Sequence, residues 1–269
     1  MKRQTMEEEL IPLQPRLQRK AEYQERLVKW NPCSMKNLAL CYEFKTGHEA
    51  ETLELIPDAC MDFVFSLSGC PSAVISGVQS APRSILLQPD TVYFGFKPYT
   101  SKGMKRLNLS WAELVNTSAD LRDQLACDGL LERMVQAQDF NGRVDAMCSF
   151  AAAELVDTDY IPDFVEYSEL KLCNARGNLR VEDIADFTGY SGRYCREKFK
   201  EANGMSIKRY SNIIRFQNAM RMLTDRKVED LSDIVFENGY FDKPHLSREF
   251  KLYAGDSPLH YRQSVLRMA

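Results

Sequence analysis

The chain has 269 residues, of which 44% are hydrophobic, and its 35 Lys and Arg against 38 Asp and Glu leave a net charge of −3. This length and composition exclude a disordered chain and predict two ordinary domains, each with its own core. A charge so close to zero gives no general affinity for nucleic acid, so any such affinity must come from a local concentration of basic residues.

The first 35 residues predict a charged N-terminal helical arm. The run LQRKAEYQERLVKW, residues 17–30, has the pattern of an amphipathic helix. The N-terminus is charged where a signal peptide needs an apolar segment, and no apolar run of membrane-spanning length follows. We therefore expect a cytoplasmic protein with no membrane partner.

Residues 36–160 predict a β-rich domain that ends in helices. Short apolar runs with β-branched and aromatic residues are separated by Gly, Pro and Asp, which is typical of strands. The runs are LALCYEF, ETLELIP, MDFVFSLSG, AVISGV, SILLQP and TVYFGFKP, between residues 38 and 98. This number of strands in so short a segment predicts a small β-barrel or sandwich, and the overall fold class is α+β.

The interior of this barrel or sandwich is the candidate ligand site. Alternate residues of a strand share a face, so in TVYFGF either Tyr93 and Gly95 or Val92, Phe94 and Phe96 point inward, depending on register. A small barrel fills with its own side chains or holds one small ligand, and a filled core is the alternative at every aromatic position. The candidate ligand-binding residues are Phe63, Phe65, Tyr93 and Phe96.

Residues 107–156 return to helical periodicity. Their apolar stripes, which include Leu130, Met134 and Val135, suit packing either on the strands of the same chain or on a second copy. The following DTDYIPD, residues 157–163, predicts a linker because of its acidic residues and proline.

Catalytic and metal-binding motifs are absent from the sequence. It has no GxGxxG, no P-loop and no HExxH, so we predict no enzyme activity, no cofactor and no metal. Asp58 and Asp62 predict a turn and a strand edge, not paired catalytic carboxylates. Eight cysteines without a CxxC pair indicate reduced thiols. A metal or redox role for the cysteines at 33, 41, 60 and 70 remains the alternative, in which an N-terminal enzyme or metal module is fused to the C-terminal domain.

The C-terminal third contains an internal repeat. DIADFTGYSGRYCREKFKEANG, from Asp183 to Gly204, and DIVFENGYFDKPHLSREFKLYAG, from Asp233 to Gly255, share their Asp-Ile, Gly-Tyr, Phe-Lys and final Gly, and the second copy has one extra residue between Gly-Tyr and Phe-Lys. Repetition about fifty residues apart indicates that one recognition task is performed twice.

Each copy predicts two helices joined by a short turn. In the first copy Gly189 ends one helix, and Ser191 caps a second helix that runs to about Lys200. In the second copy Gly239 and Asp242 have the same roles, with proline in the first turn of the helix that follows. The predicted inward side chains of the second helices are Tyr194, Cys195 and Phe199, and Leu246 and Phe250. A plain helical hairpin is the alternative for either copy alone.

Residues 207–223, IKRYSNIIRFQNAMRML, lie between the copies and predict one continuous helix, since they contain neither proline nor glycine. At 1.5 Å per residue this helix is roughly 25 Å long. It can therefore hold the two copies apart while packing against both.

These motifs resemble the DNA-binding domain of the AraC/XylS family of bacterial transcription regulators. The resemblance covers about Leu170 to Arg262. It rests on four stretches and on Arg215, Ala219 and Leu223 of the helix between the copies. The stretches are residues 184–191 (IAxxxGYS), 199–204 (FKEANG), 239–251 (GYFDKPHLSREFK) and 257–262 (SPLHYR). The resemblance implies a DNA-binding domain over residues 165–269, with a first helix-turn-helix unit at 170–206, a linker helix at 207–224 and a second unit at 228–262.

Charge distribution agrees with that resemblance. From Lys171 to the C-terminus there are 18 Lys and Arg against 13 Asp and Glu, a net of +5, whereas the preceding residues carry 17 against 25, a net of −8. A basic domain gains affinity by neutralising phosphates, and a few side chains at groove depth select the sequence. The predicted DNA-binding residues are Arg193, Arg196, Lys200, Lys243, Ser247, Arg248 and Lys251, with Arg193 and Arg196 the base-contact candidates and Lys200 and Lys251 assigned to the backbone.

The resemblance also implies partners besides double-stranded DNA. AraC-type regulators commonly carry an N-terminal β-rich sensor or dimerisation domain, so it implies a small-molecule effector, a homodimer and contact with RNA polymerase by an activator. The predicted function is a sequence-specific DNA-binding transcription regulator.

Overall fold

The structure, a computed structural model, describes residues 12–224 and 230–267 and has a β-rich N-terminal part and a helical C-terminal part, the α+β class that the sequence predicts. The strands are β1 (Ala21–Lys29), β2 (Leu38–Lys45), β3 (Glu51–Leu55), β4 (Asp62–Ser66), β5 (Ser72–Ser76), β6 (Arg83–Leu87), β7 (Val92–Pro98) and β8 (Ser118–Asp120). The helices are α1 (Trp111–Leu114), α2 (Leu130–Gln136), α3 (Phe140–Phe150), α4 (Phe164–Asn174), α5 (Val181–Thr188), α6 (Gly192–Asn203), α7 (Ile207–Thr224), α8 (Leu231–Glu237), α9 (Lys243–Ala254) and α10 (Pro258–Arg267). None of these helices has the length and apolar character needed to cross a bilayer.

The strands form two antiparallel sheets. One sheet has the order β1-β2-β7-β4-β5-β8, and β3 and β6 pair with each other in a second sheet. All six apolar runs between residues 38 and 98 are strands, as predicted. The short second sheet lies against one face of the larger one, where the buried side chains of β2, β3, β6 and β7 form a common cluster.

The predicted N-terminal helical arm is wrong for the residues that the structure describes. Residues 21–29 form strand β1, which pairs with β2 so that Leu27 lies opposite Leu40. Strand β2 is almost wholly buried and offers a row of backbone partners, so cross-strand pairing outweighs the helical tendency of this charged run. The exposed charges of β1 also discourage this edge from pairing with another chain. Residues 1–11 of the predicted arm lie outside the described residues.

The main N-terminal core lies on the other face of the large sheet. Aromatic side chains of β4 and β7 meet helices α2 and α3 there, and the rings of Phe94 and Phe140 lie 6.1 Å apart. Leu130 and Met134 of α2 are fully buried in this core, whereas Val135 is exposed. Most of this apolar stripe therefore packs on the strands of the same chain and is not available to a second copy.

Residues 157–163 are irregular, as predicted for a linker, and end at Asp163, the N-cap of α4. Helix α4 carries two buried carboxylates that face the N-terminal part. Glu166 accepts one hydrogen bond from the Ser34 hydroxyl and another from the backbone N–H of Met35. Glu169 accepts one from the Thr100 hydroxyl at 2.9 Å. The two parts of the chain are therefore joined by buried polar contacts as well as by the linker.

Candidate nucleic-acid interface and ligand cavity

The first repeat folds as a helix-turn-helix unit. Helix α5 ends at Gly189, whose φ of +73° is the left-handed conformation that glycine adopts without a Cβ clash. Ser191 caps α6 and accepts a hydrogen bond from the backbone N–H of Tyr194 at 3.2 Å. Cys195 and Phe199 are fully buried, as predicted. The outward face of α6 therefore begins directly after a well-defined turn.

The predicted inward position of Tyr194 is wrong. Its side chain is exposed, and its ring packs at a tilt against the rings of Tyr190, 4.8 Å away, and Phe164, 5.6 Å away. Cys195 and Phe199 already fill the inner side of α6, so a third large side chain is displaced to the flank. This aromatic group borders a groove between the first unit and residues 106–113 of the N-terminal part.

Arg193, Arg196 and Lys200 of α6 are exposed, as expected for residues that contact DNA. In the unbound chain Arg193 donates to Glu197 at 2.9 Å and Arg196 donates to Glu182 at 3.1 Å. Ion pairs this exposed contribute little to stability, about 0–1 kcal/mol. Both guanidinium groups can therefore exchange a surface carboxylate for a phosphate or a base without disturbing the fold.

The second repeat has the same architecture. Helix α8 is followed by Gly239 with φ +65°, and Asp242 caps α9 by accepting from the backbone N–H of His245 at 2.7 Å. Lys243 is exposed and pairs with Asp230 at 2.9 Å. Of the remaining predicted DNA-binding residues, Arg248 and Lys251 are exposed and Ser247 is partly exposed.

Helix α7 joins the two units, as predicted. Its buried side chains contact both second helices: the ring of Tyr210 lies 5.4 Å from Phe199 of α6, and Phe216 lies 5.1 Å from Phe250 of α9. With 18 residues it is about 27 Å long. Because both second helices pack directly on it, α7 sets the distance and angle between α6 and α9.

A buried ion pair braces the second unit in a way that the sequence analysis did not predict. Arg215 of α7 donates to Glu249 of α9 at 2.5 Å, and its guanidinium lies 4.9 Å from the ring centroid of Tyr240. Burial alone would lower the pKa of Arg215, but the hydrogen bond and charge of Glu249 raise it. The sequence marked Arg215 only as part of the motif match. It did not pair Arg215 with Glu249, because the two residues lie 34 positions apart.

A cavity of about 90 Å³ lies between the two N-terminal sheets. Its walls are mostly apolar, with side chains from both sheets and a polar end formed by β4, β7 and the preceding turn. Gly95 makes the polar end possible, since a Cβ at this position would lie 2.0 Å from the ring of Tyr42. The lining includes Gln14, Tyr42, Leu53, Asp58, Asp62, Val64, Arg83, Tyr93 and Lys97.

The structure does not bring the four predicted ligand-binding residues together. Phe63, Phe65 and Phe96 are completely buried in the core on the α3 side of the sheet, where they contact one another and neighbouring side chains. Tyr93 lies on the opposite face and lines the cavity. The sequence left open whether the residues on one face of β7 or those on the other face point into an interior. Both do, because both faces of this sheet are covered.

Lys97 lies between Asp58 and Asp62 at the polar end of the cavity. Its ammonium contacts the Asp58 carboxylate directly and lies 3.4 Å from Asp62, which also accepts from the Tyr42 hydroxyl at 2.7 Å. Burial raises the pKa of the Asp62 carboxyl to about 6, against the opposing effects of Lys97 and Tyr42. Burial alone would lower the pKa of Lys97, but the two carboxylates raise it. Asp62 Oδ1 is buried without a hydrogen-bond partner.

The prediction for Asp58 as a turn residue is confirmed, since its carboxylate accepts from the backbone N–H of Cys60 at 3.1 Å. Its contact with Lys97 was not predicted, because the two residues lie 39 positions apart. No group of three or more His, Cys, Asp and Glu side chains in the described ranges has the arrangement of a metal site.

Comparison with known proteins agrees with this geometry. A family model described as a helix-turn-helix domain matches residues 184–264. An uncharacterised helix-turn-helix transcriptional regulator of Staphylococcus aureus is 25% identical over 108 residues, which are 40% of this chain and 14% of that protein. The Msm operon regulatory protein of Streptococcus mutans is 31% identical over 88 residues, 33% of this chain and 31% of that protein. The chain thus spans less than a third of the length of these curated relatives.

Two solved structures resemble the chain. The C-terminal domain of AraT, a response regulator from Geobacillus stearothermophilus, covers 38% of this chain and 86% of its own, with 24% identity and a TM-score of 0.36. ToxT from Vibrio cholerae covers 90% of this chain and 98% of its own, with 14% identity and a TM-score of 0.44. The C-terminal part of the chain is a helix-turn-helix domain. More particularly, it is a paired domain of the AraC type, in agreement with the motifs of both repeats.

Proposed function

We propose that the chain is a sequence-specific DNA-binding transcription regulator whose α6 and α9 enter successive major-groove faces of one duplex. The observation that carries this proposal is the packing of both second helices on a single helix, α7, with their basic side chains exposed. One turn of B-DNA measures about 34 Å, so two units packed on one helix about 27 Å long can reach adjacent groove faces when the DNA bends or the helices tilt.

Arg193 and Arg196 are our candidates for base contacts in the first unit, and Lys243, Ser247 and Arg248 are the candidates in the second. Arginine can bind guanine O6 and N7 with two parallel hydrogen bonds. Lys200 and Lys251, with a single point charge on a flexible stem, are assigned to phosphates. Phosphate contacts supply affinity, while the base-contact residues select the sequence.

Arg196→Ala is expected to reduce discrimination between the selected site and sites with one changed base by about 5- to 150-fold, because a bidentate guanine contact is lost. Lys200→Ala, the matched control on the same helix, should weaken all sequences alike and reduce the salt slope by about 1. The measurement is fluorescence anisotropy on a site selected from random duplexes by the full-length chain, at several salt concentrations. Equal weakening of every sequence by both variants would contradict the base-contact assignment.

We further propose that a small-molecule effector binds in the cavity of about 90 Å³. Its apolar walls, the unpaired Asp62 Oδ1 and the charged Lys97 suit a small ligand with an apolar body and a hydroxyl or amine group that donates to Asp62. Residues 12–16, which we call the strap, also border the cavity through the side chain of Gln14. The side chain of Gln14 donates to Asp58 at 2.9 Å.

The strap supports a route from the cavity to the DNA-binding domain. The Leu13 backbone N–H donates to Gln217 of α7 at 2.8 Å, and the Arg16 guanidinium lies 5.4 Å from the ring centroid of Tyr261 in α10. Because Gln14 itself lines the cavity, a ligand bound at Asp62 would displace the Gln14 side chain and with it the neighbouring contacts on α7 and α10. The proposed effector would therefore change how firmly α7 is held against the N-terminal part.

Val64→Phe is expected to abolish effector retention, because Val64 lines the cavity and phenylalanine would fill it. Leu86→Phe is the matched control, since Leu86 lies on β6 of the facing sheet, between the cavity-lining Ile85 and Leu87, but is itself exposed. Native mass spectrometry of the purified full-length proteins measures retained ligand and also reports whether the chain is a homodimer. A ligand retained equally by both variants would contradict this site.

Three further elements of the proposal rest on the resemblance to AraC-type regulators. They are homodimerisation, activation through contact with RNA polymerase, and a cytoplasmic location. The same resemblance, together with the absence of catalytic motifs in the sequence, supports a regulator without enzyme activity.

A further inference from the structure

The extra residue of the second repeat lies in the turn between its two helices. Both second helices bury an apolar residue four positions after the cap, Cys195 after Ser191 and Leu246 after Asp242, so the helices correspond from the cap onward. The cap follows the turn glycine by two positions in the first unit and by three in the second. The inserted residue is therefore Phe241, directly before the cap of α9.

Phe241 is 90% exposed, more than any other large hydrophobic side chain among the described residues. Its backbone is nevertheless held in place, since its N–H donates to His245 Nδ1 at 3.3 Å and the His245 ring packs edge-on against Tyr240 at 5.3 Å. An isolated exposed hydrophobic residue needs no explanation by itself. This one is inserted relative to the first unit and fixed at the end of the helix where bases are read.

We propose that Phe241 contacts the 5-methyl group of a thymine in the major groove, an inference that rests on the proposed DNA-binding function. In helix-turn-helix proteins the N-terminal residues of the second helix meet the base edges. Thymine alone presents a methyl group there, and an apolar side chain such as phenylalanine is its natural partner. Lys243, the neighbouring base-contact candidate, is exposed two residues further on at the start of α9.

The contact makes the two halves of the DNA site different. The first unit has no residue at this position, because Ser191 follows Tyr190 directly and caps α6. A thymine preference that depends on a methyl group is therefore assigned to the half of the site bound by α9. A single chain would read an asymmetric site whose orientation Phe241 helps to set.

The test replaces each thymine of the selected site with deoxyuridine, which removes only the methyl group. With the wild-type chain, one such replacement in the α9 half is expected to weaken binding about fourfold, the worth of one buried methyl group. With Phe241→Ala the same replacement should have no effect, and the variant should bind the thymine site as weakly as the wild type binds the uracil site. Phe236→Ala is the matched control, since Phe236 is an 85% exposed residue of α8 in the same unit, and it should keep the fourfold methyl dependence.

The outcomes separate this inference from the function on which it rests. If the wild-type chain selects no sequence from random duplexes, both the DNA-binding proposal and the thymine contact fail. If it selects a site that is indifferent to uracil, or if Phe241→Ala keeps the methyl dependence, only the thymine contact is overturned. A Phe241→Ala variant that keeps that dependence but loses reporter transcription would instead assign Phe241 to a protein partner. Equal melting temperatures of the three proteins exclude a folding effect.

Discussion

Glu249→Ala is expected to destabilise the second helix-turn-helix unit by about 3–5 kcal/mol, because it leaves the Arg215 guanidinium as an uncompensated buried charge. Both side chains are largely buried, at 15% exposure for Arg215 and 9% for Glu249. Urea unfolding of the full-length chain measures the loss. Hydrogen exchange should assign the loss to α9 and to the facing side of α7, while α5 and α6 keep their protection.

Glu237→Ala is the matched control, since Glu237 belongs to the same unit but pairs with Arg176 at 3.8 Å on the surface. It should change stability by no more than about 1 kcal/mol. A double variant, Arg215→Met with Glu249→Leu, should recover most of the stability, since it removes both charges and keeps the volume. A loss in the double variant as large as in Glu249→Ala would show that the unpaired charge is not the cause.

Lys102→Ala is expected to weaken the joint between the two parts of the chain by about 3–5 kcal/mol. The Lys102 ammonium donates to the backbone carbonyl of Ala202 at 3.0 Å and to Asn203 at 3.1 Å, at the C-terminal end of α6. It also lies 3.7 Å from Glu169 of α4, a carboxylate that is almost completely buried. Its removal takes away the ion pair of Glu169, which keeps the Thr100 hydrogen bond and the charge of Lys36. It also leaves the carbonyl of Ala202 at the end of α6 without this donor.

The loss should appear as two separate thermal transitions in place of one, and as faster hydrogen exchange at the end of α6. Lys105→Ala is the matched control, because Lys105 lies in the same loop and donates only to the exposed carbonyl of Ala153. If both variants melt alike in one transition, Lys102 does not couple the two parts. A Lys102→Arg variant should preserve much of the coupling if charge is what matters.

Features set by residues a few positions apart were predictable. The glycine ends of α5 and α8, the caps Ser191 and Asp242, and the unbroken α7 all agree with the structure, because capping and helix termination depend on local hydrogen bonds and backbone conformation. The predicted DNA-binding residues are exposed, Ser247 only partly, for the same reason: helical periodicity placed them opposite the buried positions.

Features that depend on distant partners were not predictable. The run at residues 21–29 has helical periodicity but forms a strand because β2 lies beside it. Tyr194 was expected inside and lies outside because its neighbours fill the space. Phe63 and Tyr93 both point inward yet into different interiors, since strand alternation sends them to opposite faces of a sheet that is covered on both sides.

The sequence by itself determined that the chain ends in two helix-turn-helix units on one helix, with their caps, their basic faces and one extra residue in the second copy, because repetition and local hydrogen bonding leave their mark in short motifs. The tertiary structure alone decided where that extra residue projects, which carboxylates share Lys97 and how Arg215 and Lys102 brace the units. Those contacts join residues far apart in the chain, and close packing and the cost of burying an unpaired charge, not local propensity, select them.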